Sequence, residues 1–176
     1  MSPEALRQAG LAHFRADRLP EAVQAFTEAA AAYAAAGDHA AAAEMRNNIA
    51  VVCMAQSDWA GAQAALAGTP ELFRALGDRR REGEALANQA AAHDGAGEAE
   101  PAMALYLQAI ERLGEAGETE TRAACYKKLS ALQVRLGQQL QALASMRSGL
   151  NLSSALSPKE QALKDLLDKA MKLTGL

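Results

Sequence analysis

Small, bulky and turn-forming residues recur along this chain on one ruler. Gly37-Asp38, Gly77-Asp78 and Gly117-Glu118 stand forty residues apart, and Ser157-Pro158 falls in the same register. Midway between them lie Asp17-Arg18, Ser57-Asp58, Gly97-Glu98 and Gly137-Gln138. Small residues keep the spacing in two columns, Gly10/Ala50/Ala90/Ser130 and Ala22/Ala62/Ala102/Ala142, and bulky ones in a third, Phe26/Leu66/Tyr106/Met146. Self-similarity at a fixed period marks a repeat architecture. The unit is a helix, a tight turn, a second helix and a Gly-Asp linker. Small residues let two antiparallel helices approach, and the bulky one fills the adjoining gap.

The pattern predicts helices over 3–16, 19–36, 39–56, 59–76, 79–96, 99–116, 119–136, 139–153 and 158–174. Linker glycines suit the left-handed conformation that ends a helix, and the Asp after them suits the next N-cap. The second repeat is irregular, because Gly68-Thr69-Pro70 falls inside its second helix. Proline removes a backbone donor and drives the preceding residue out of the helical region. A bend is expected at 67–70, on the outer face, with Thr69 recapping a final turn; a hinge that adjusts curvature is the alternative.

At the carboxyl end Ser157-Pro158-Lys159-Glu160 reads as a capping box. It opens a helix placing Ala162, Leu163, Leu166, Leu167, Ala170 and Met171 on one face, with Lys169 and Lys172 near its negative end. The expected fold is all-α: an α-solenoid of four helix-turn-helix repeats, at about 1–36, 37–76, 77–116 and 117–156, closed by a capping helix over 157–176. Nothing comparable caps the first repeat. Its outward face is therefore either tolerated as alanine-rich surface or covered by a partner or by a second copy in a homodimer.

Composition narrows the classes further. Of 176 residues 44 are alanine and only 11 are Val, Ile or Thr, which nearly excludes a β-rich fold and leaves 23 leucines to carry most of the core. A net charge of −3 gives no basic stripe of the kind nucleic acid selects. The longest uncharged run, Trp59 to Pro70, is too short to cross a bilayer. The amino terminus lacks the apolar core of a secretory signal, and two cysteines offer no disulfide framework. A soluble, cytoplasmic chain without membrane insertion is expected.

These features resemble the tetratricopeptide repeat family over nearly the whole chain. Its second-helix pattern is matched by Ala22-Val23-Gln24-Ala25-Phe26 and Ala102-Met103-Ala104-Leu105-Tyr106. Leu76-Gly77-Asp78-Arg79-Arg80 and Arg46-Asn47-Asn48-Ile49-Ala50 resemble the forty-residue variants of polarity adaptors, kinesin light chains and bacterial quorum-response regulators. The chain departs from the pattern late in the first helices, where His13, Cys53, His93 and Gln133 replace an aromatic.

No catalytic constellation emerges from the residues. There is no phosphate-binding glycine loop, no His pair on one helical face and no Cys-x-x-Cys. His13, Cys53 and His93 share a column, but equivalent positions in stacked repeats lie roughly 9–10 Å apart, too far for one ion. Arg79-Arg80-Arg81 reads as a solvated basic run, with phosphate contact a minor alternative. No enzyme, cofactor or metal is expected.

Stacking would line a concave groove with one face of each first helix. That face carries Arg7, Gln8, Leu11 and Phe14; then Glu44, Asn47, Asn48, Val51 and Met54; then Glu84, Asn88 and Asp94; and finally Lys127, Lys128 and Arg135. Gln8, Asn48, Asn88 and Lys128 form a ladder at one height, and amides both donate to and accept from a peptide backbone. In the repeat families it resembles, equivalent asparagines hold peptide backbone. Leu11, Phe14, Val51 and Met54 make an apolar floor, while Ala87, Ala91 and Gly95 leave room for a bulky ligand side chain. Charge divides along the array, acidic at Glu44, Glu84 and Asp94 and basic at Lys127, Lys128 and Arg135. The family's carboxylate clamp for chaperone tails is matched at Arg7 and Asn48 but not at Leu11, Glu84 or Asn88. The expected function is a non-catalytic scaffold binding a peptide or helix of a partner protein; the alternative is a regulatory sensor whose curvature responds to a short peptide or small ligand.

Overall fold

Seven turns at twenty-residue intervals set most of the helix boundaries. Asp17, Gly37, Ser57, Gly77, Gly97, Gly117 and Gly137 all have positive φ, between 57° and 82°. Each turn carries the same pair of backbone hydrogen bonds. At the second turn Gly37 N–H donates to the Ala34 carbonyl at 3.0 Å and Asp38 N–H to the Tyr33 carbonyl at 2.9 Å. This Schellman pairing satisfies the last carbonyls of one helix. The next residue is already the N-cap of the following helix. The Asp38, Asp58 and Asp78 carboxylates each accept a backbone N–H at 2.9 Å, from Ala41, Gly61 and Arg81.

The computed structural model describes residues 1–174, and side-chain surroundings as far as Ala170. Those residues form ten helices and no strand: α1 (Pro3–Arg15), α2 (Leu19–Ala35), α3 (His39–Ala55), α4 (Trp59–Leu66), α5 (Thr69–Ala75), α6 (Arg79–Gly95), α7 (Ala99–Glu115), α8 (Thr119–Arg135), α9 (Gln139–Leu152) and α10 (Pro158–Thr174). None is long and apolar enough to cross a membrane. Helices pack chiefly on their neighbours in the chain, and α6 also touches both α3 and α8. The arrangement is repeat-like, and its core is correspondingly a series of local clusters. Leu6, Phe26, Met45 and Val52 share one; Cys53, Leu66 and Ala92 another; Leu86, Tyr106, Leu113 and Leu129 a third.

Both small columns are buried throughout. A Cβ on Gly10 would lie 2.6 Å from the Phe26 ring, and buried Ser130 Oγ donates to the Ala142 carbonyl at 2.8 Å. The aromatic ring in one column is thus admitted by the missing methyl in the other.

The break after α4 lies where the sequence places it, but its chemistry differs. Thr69 and Pro70 are fully buried, so the bend points inward and not onto an outer face. Gly68, at φ 76°, is the N-cap of α5, and Thr69 does not cap α5 at all. Its hydroxyl donates backward to the Leu66 carbonyl at 2.8 Å, which also accepts from Gln89 Nε2 at 3.2 Å. Arg46 reaches the Ala67 carbonyl at 3.4 Å. The carbonyls that proline frees are therefore satisfied by side chains from α3, α5 and α6. Beyond the break, Arg74 of α5 meets the buried Glu82 carboxylate of α6 at 2.8 Å.

At the amino end Leu6 is buried in the first cluster and lines an outward cleft of α1 and α2 with Met1, Ala9, Ala25, Glu21, Gln24 and Glu28. The carboxyl end differs from expectation. The capping box at Ser157 forms, with reciprocal bonds to Glu160 of 2.9 and 3.3 Å. On α10, however, Leu167 is buried whereas Ala162 and Ala170 are exposed and Leu166 is 63% exposed. The side chains of Met171 and Lys172 lie outside the described residues.

Two predictions follow from the turns and the break. Asp17→Gly and Ser57→Gly each remove an L-residue from a left-handed turn, so each should raise unfolding free energy by about 0.5–1 kcal/mol in urea titration. Thr69→Val keeps the shape but strips a buried carbonyl of its close donor. It should cost about 1–2 kcal/mol by the same titration, and a neutral result would remove the hydroxyl from the account.

Candidate functional site

Helical spacing brings residues 44, 47, 48 and 51 of α3 opposite 80, 81, 84, 87 and 88 of α6. Between them lies an open cleft of about 350 Å³ lined by Glu44, Asn47, Asn48, Val51, Arg80, Arg81, Glu84, Ala87, Asn88 and Thr121. One turn further along, a second cleft of about 290 Å³ is lined by Met54, Trp59, Ala91, Asp94, Gly95, Tyr106, Lys128 and Arg135. Val51 to Met54 on α3 and Asn88 to Ala91 on α6 join the two. They form one groove running along the helices.

Asn48 and Asn88, one sequence period apart, are half-buried in the first cleft. Among the described residues neither amide makes a hydrogen bond, and the buried Oδ1 of Asn47 has no partner either. The arginine run is committed to carboxylates: Arg79 to Glu115 at 2.9 Å, Arg80 to Glu84 at 2.9 Å, and Arg81 to Asp78 at 2.6 Å and Glu44 at 3.7 Å. Burial pushes the Glu84 carboxyl above its ordinary range; Arg80 opposes this, while Glu118, Asp78 and Glu44 add to it.

The second cleft is narrower than its small residues imply. A Cβ on Gly95 would meet the Trp59 ring at 2.4 Å, so the chain's own indole fills the room left at Gly95. Asp94 and Arg135 form an ion pair across α6 and α8. Lys128 has no ion-pair partner among the described residues and keeps its charge for the groove.

Four of the fifteen sequence-predicted residues are drawn off at the first repeat. Arg7 donates to Glu4 at 2.7 and 2.8 Å and Gln8 donates to it at 2.8 Å. Tyr33 adds a third donor at 3.0 Å, and together, the Arg7 hydrogen bond foremost, they hold the Glu4 carboxyl at about 2. Leu11 and Phe14 are half-buried against the cluster of Phe26 and Val52 and are no open floor. Lys127 also leaves the groove, because Nζ pairs with Glu160 of α10 at 2.7 Å. The ladder is therefore two asparagines with Lys128 beyond them. Arg80, Arg81, Thr121, Trp59 and Tyr106 were not foreseen as lining. Only the pairing of the single tryptophan with Gly95, bulky against smallest, carried a hint of this.

Among the described residues no group of three His, Cys, Asp or Glu could hold a metal. His93 instead meets Glu98, which accepts from Gln63 at 3.0 Å, and His13 accepts from Arg18 at 3.0 Å. Burial pushes the Cys125 thiol up to about 11 and raises Cys53 as well.

The pH dependence of stability should report the Glu84 site. The folded chain holds the Glu84 proton more tightly than the unfolded chain, where the group titrates near 4.5. Stability from this group is therefore full below that value and falls as pH rises through the folded one. The stability of Glu84→Gln relative to the parent should accordingly improve between about pH 4 and pH 7, read by thermal melts. A difference independent of pH would contradict the raised affinity of Glu84 for its proton. No protein-family model matches the chain, and no curated protein matches it either.

Proposed function

We propose that this chain is a tetratricopeptide-repeat-like solenoid, a non-catalytic scaffold that binds a peptide or helix of a partner protein in the groove along α3 and α6. The recurrence of one turn at twenty-residue intervals supports the repeat reading. The observation that carries the functional reading is the pair Asn48 and Asn88. Amides without a protein partner can exchange water for a ligand's hydrogen bonds, and these two face one open cleft at the period of the repeat. Such amides suit the alternating donors and acceptors of a peptide backbone.

Asn48→Ala combined with Asn88→Ala tests this. Capture from native lysate should yield partners that the double variant loses. A segment of such a partner should bind the variant about tenfold or more weaker by calorimetry, at about 1 kcal/mol per lost hydrogen bond. Equal affinities for parent and variant, with unchanged circular dichroism, would place recognition outside the groove.

A further inference from the structure

The charge along the groove is not divided as the sequence suggests. Asp94 is neutralised by Arg135 and Lys127 by Glu160, which removes one acid and two bases from the division along the array. What remains runs along the helices instead. At the end of the first cleft Glu118, Asp78 and Glu44 all act on Glu84, and the ion pairs of Arg80 with Glu84 and of Arg81 with Asp78 and Glu44 set two guanidiniums against these four carboxylates, leaving an acidic excess. At the other end Lys128 stands beside the self-paired Asp94 and Arg135. Val51, Met54, Ala87, Ala91 and Trp59 lie between, apolar and half-buried.

Building on the peptide-binding reading, we infer that the groove selects a bipolar segment: a lysine or arginine at the Glu44/Glu84 end, an acidic residue at Lys128, and an apolar side chain between them. The stem of the basic side chain lies on Val51 and Ala87 while its head meets the carboxylates, as long cationic side chains do. The apolar residue sits on Met54 beside the Trp59 indole. The spacing is bounded by the helix. From Glu84 to Ala91 or Asp94 the rise is about 10–15 Å, which an extended peptide spans in about three to five residues. Opposite charges at the two ends also fix the direction in which the segment lies.

A displayed library of random dodecapeptides, panned on the full chain at low salt, tests this. The parent should enrich peptides with a basic and an acidic residue three to five positions apart and an apolar one between. Glu44→Lys with Glu84→Lys should abolish selection for the base while keeping the rest, and Lys128→Glu should turn the acid into a base. Calorimetry on one enriched peptide should show about tenfold weaker binding for each reversal, shrinking in about 0.5 M salt. Should the lysine pair lower the melting temperature, Glu44→Gln with Glu84→Gln gives the same readout at smaller amplitude. Peptides that depend on Asn48 and Asn88 but carry no charge pattern would overturn this inference and leave the groove intact. Enrichment indifferent to those asparagines, or none at all, would overturn both.

Discussion

The whole architecture depends on one three-residue connection used seven times. A residue in the left-handed region ends each helix, and the residue after it completes the Schellman hydrogen bond with its N–H while it begins the next helix. With no spare residue between the two roles, the direction and phase of each helix follow from the previous one. That is why Asn48 and Asn88, forty residues apart, arrive on facing walls of one cleft. It also explains how a chain with 44 alanines forms defined contacts: register is supplied by the turns, and the side chains need only be small where helices cross.

The groove departs from this economy. Burial and three neighbouring carboxylates push the Glu84 carboxyl above its ordinary range, and the buried Oδ1 of Asn47 lacks a partner among the described residues. Groups held against their own solvation concentrate where a molecule meets something else. At the break polar groups are matched: its carbonyls have Thr69, Gln89 and Arg46, and buried Glu82 has Arg74. In the cleft Asn48 and Asn88 have no protein partner among the described residues and stay open to a ligand, which is the main reason to read the cleft as a binding surface.

Much of the fold was legible beforehand because its signals are local. The glycines at the turns, the Asp caps and the paired small and bulky columns act within a few residues or one helix pair, so helix ends fall within about a residue of their expected places. The break at Gly68-Thr69-Pro70 was legible for the same reason. The direction in which it faces was not, since burial of Pro70 depends on how α5 meets α6. In the groove, helical phase grouped residues of α3 and α6 that line the two clefts together. It failed for α1, where Glu4 gathers Arg7, Gln8 and Tyr33, and for Lys127, which Glu160 draws toward α10.

Residue order thus settles where each helix begins and ends, and which side chains share a face, because backbone conformation and hydrogen bonds within a turn involve neighbours alone. Which charges stay available depends on partners up to forty-one residues away, such as Asp94 for Arg135. An ion pair forms only when packing brings its members within a few ångströms. The sign of the groove at each end is therefore a property of the assembled helices and could not be read from any one of them.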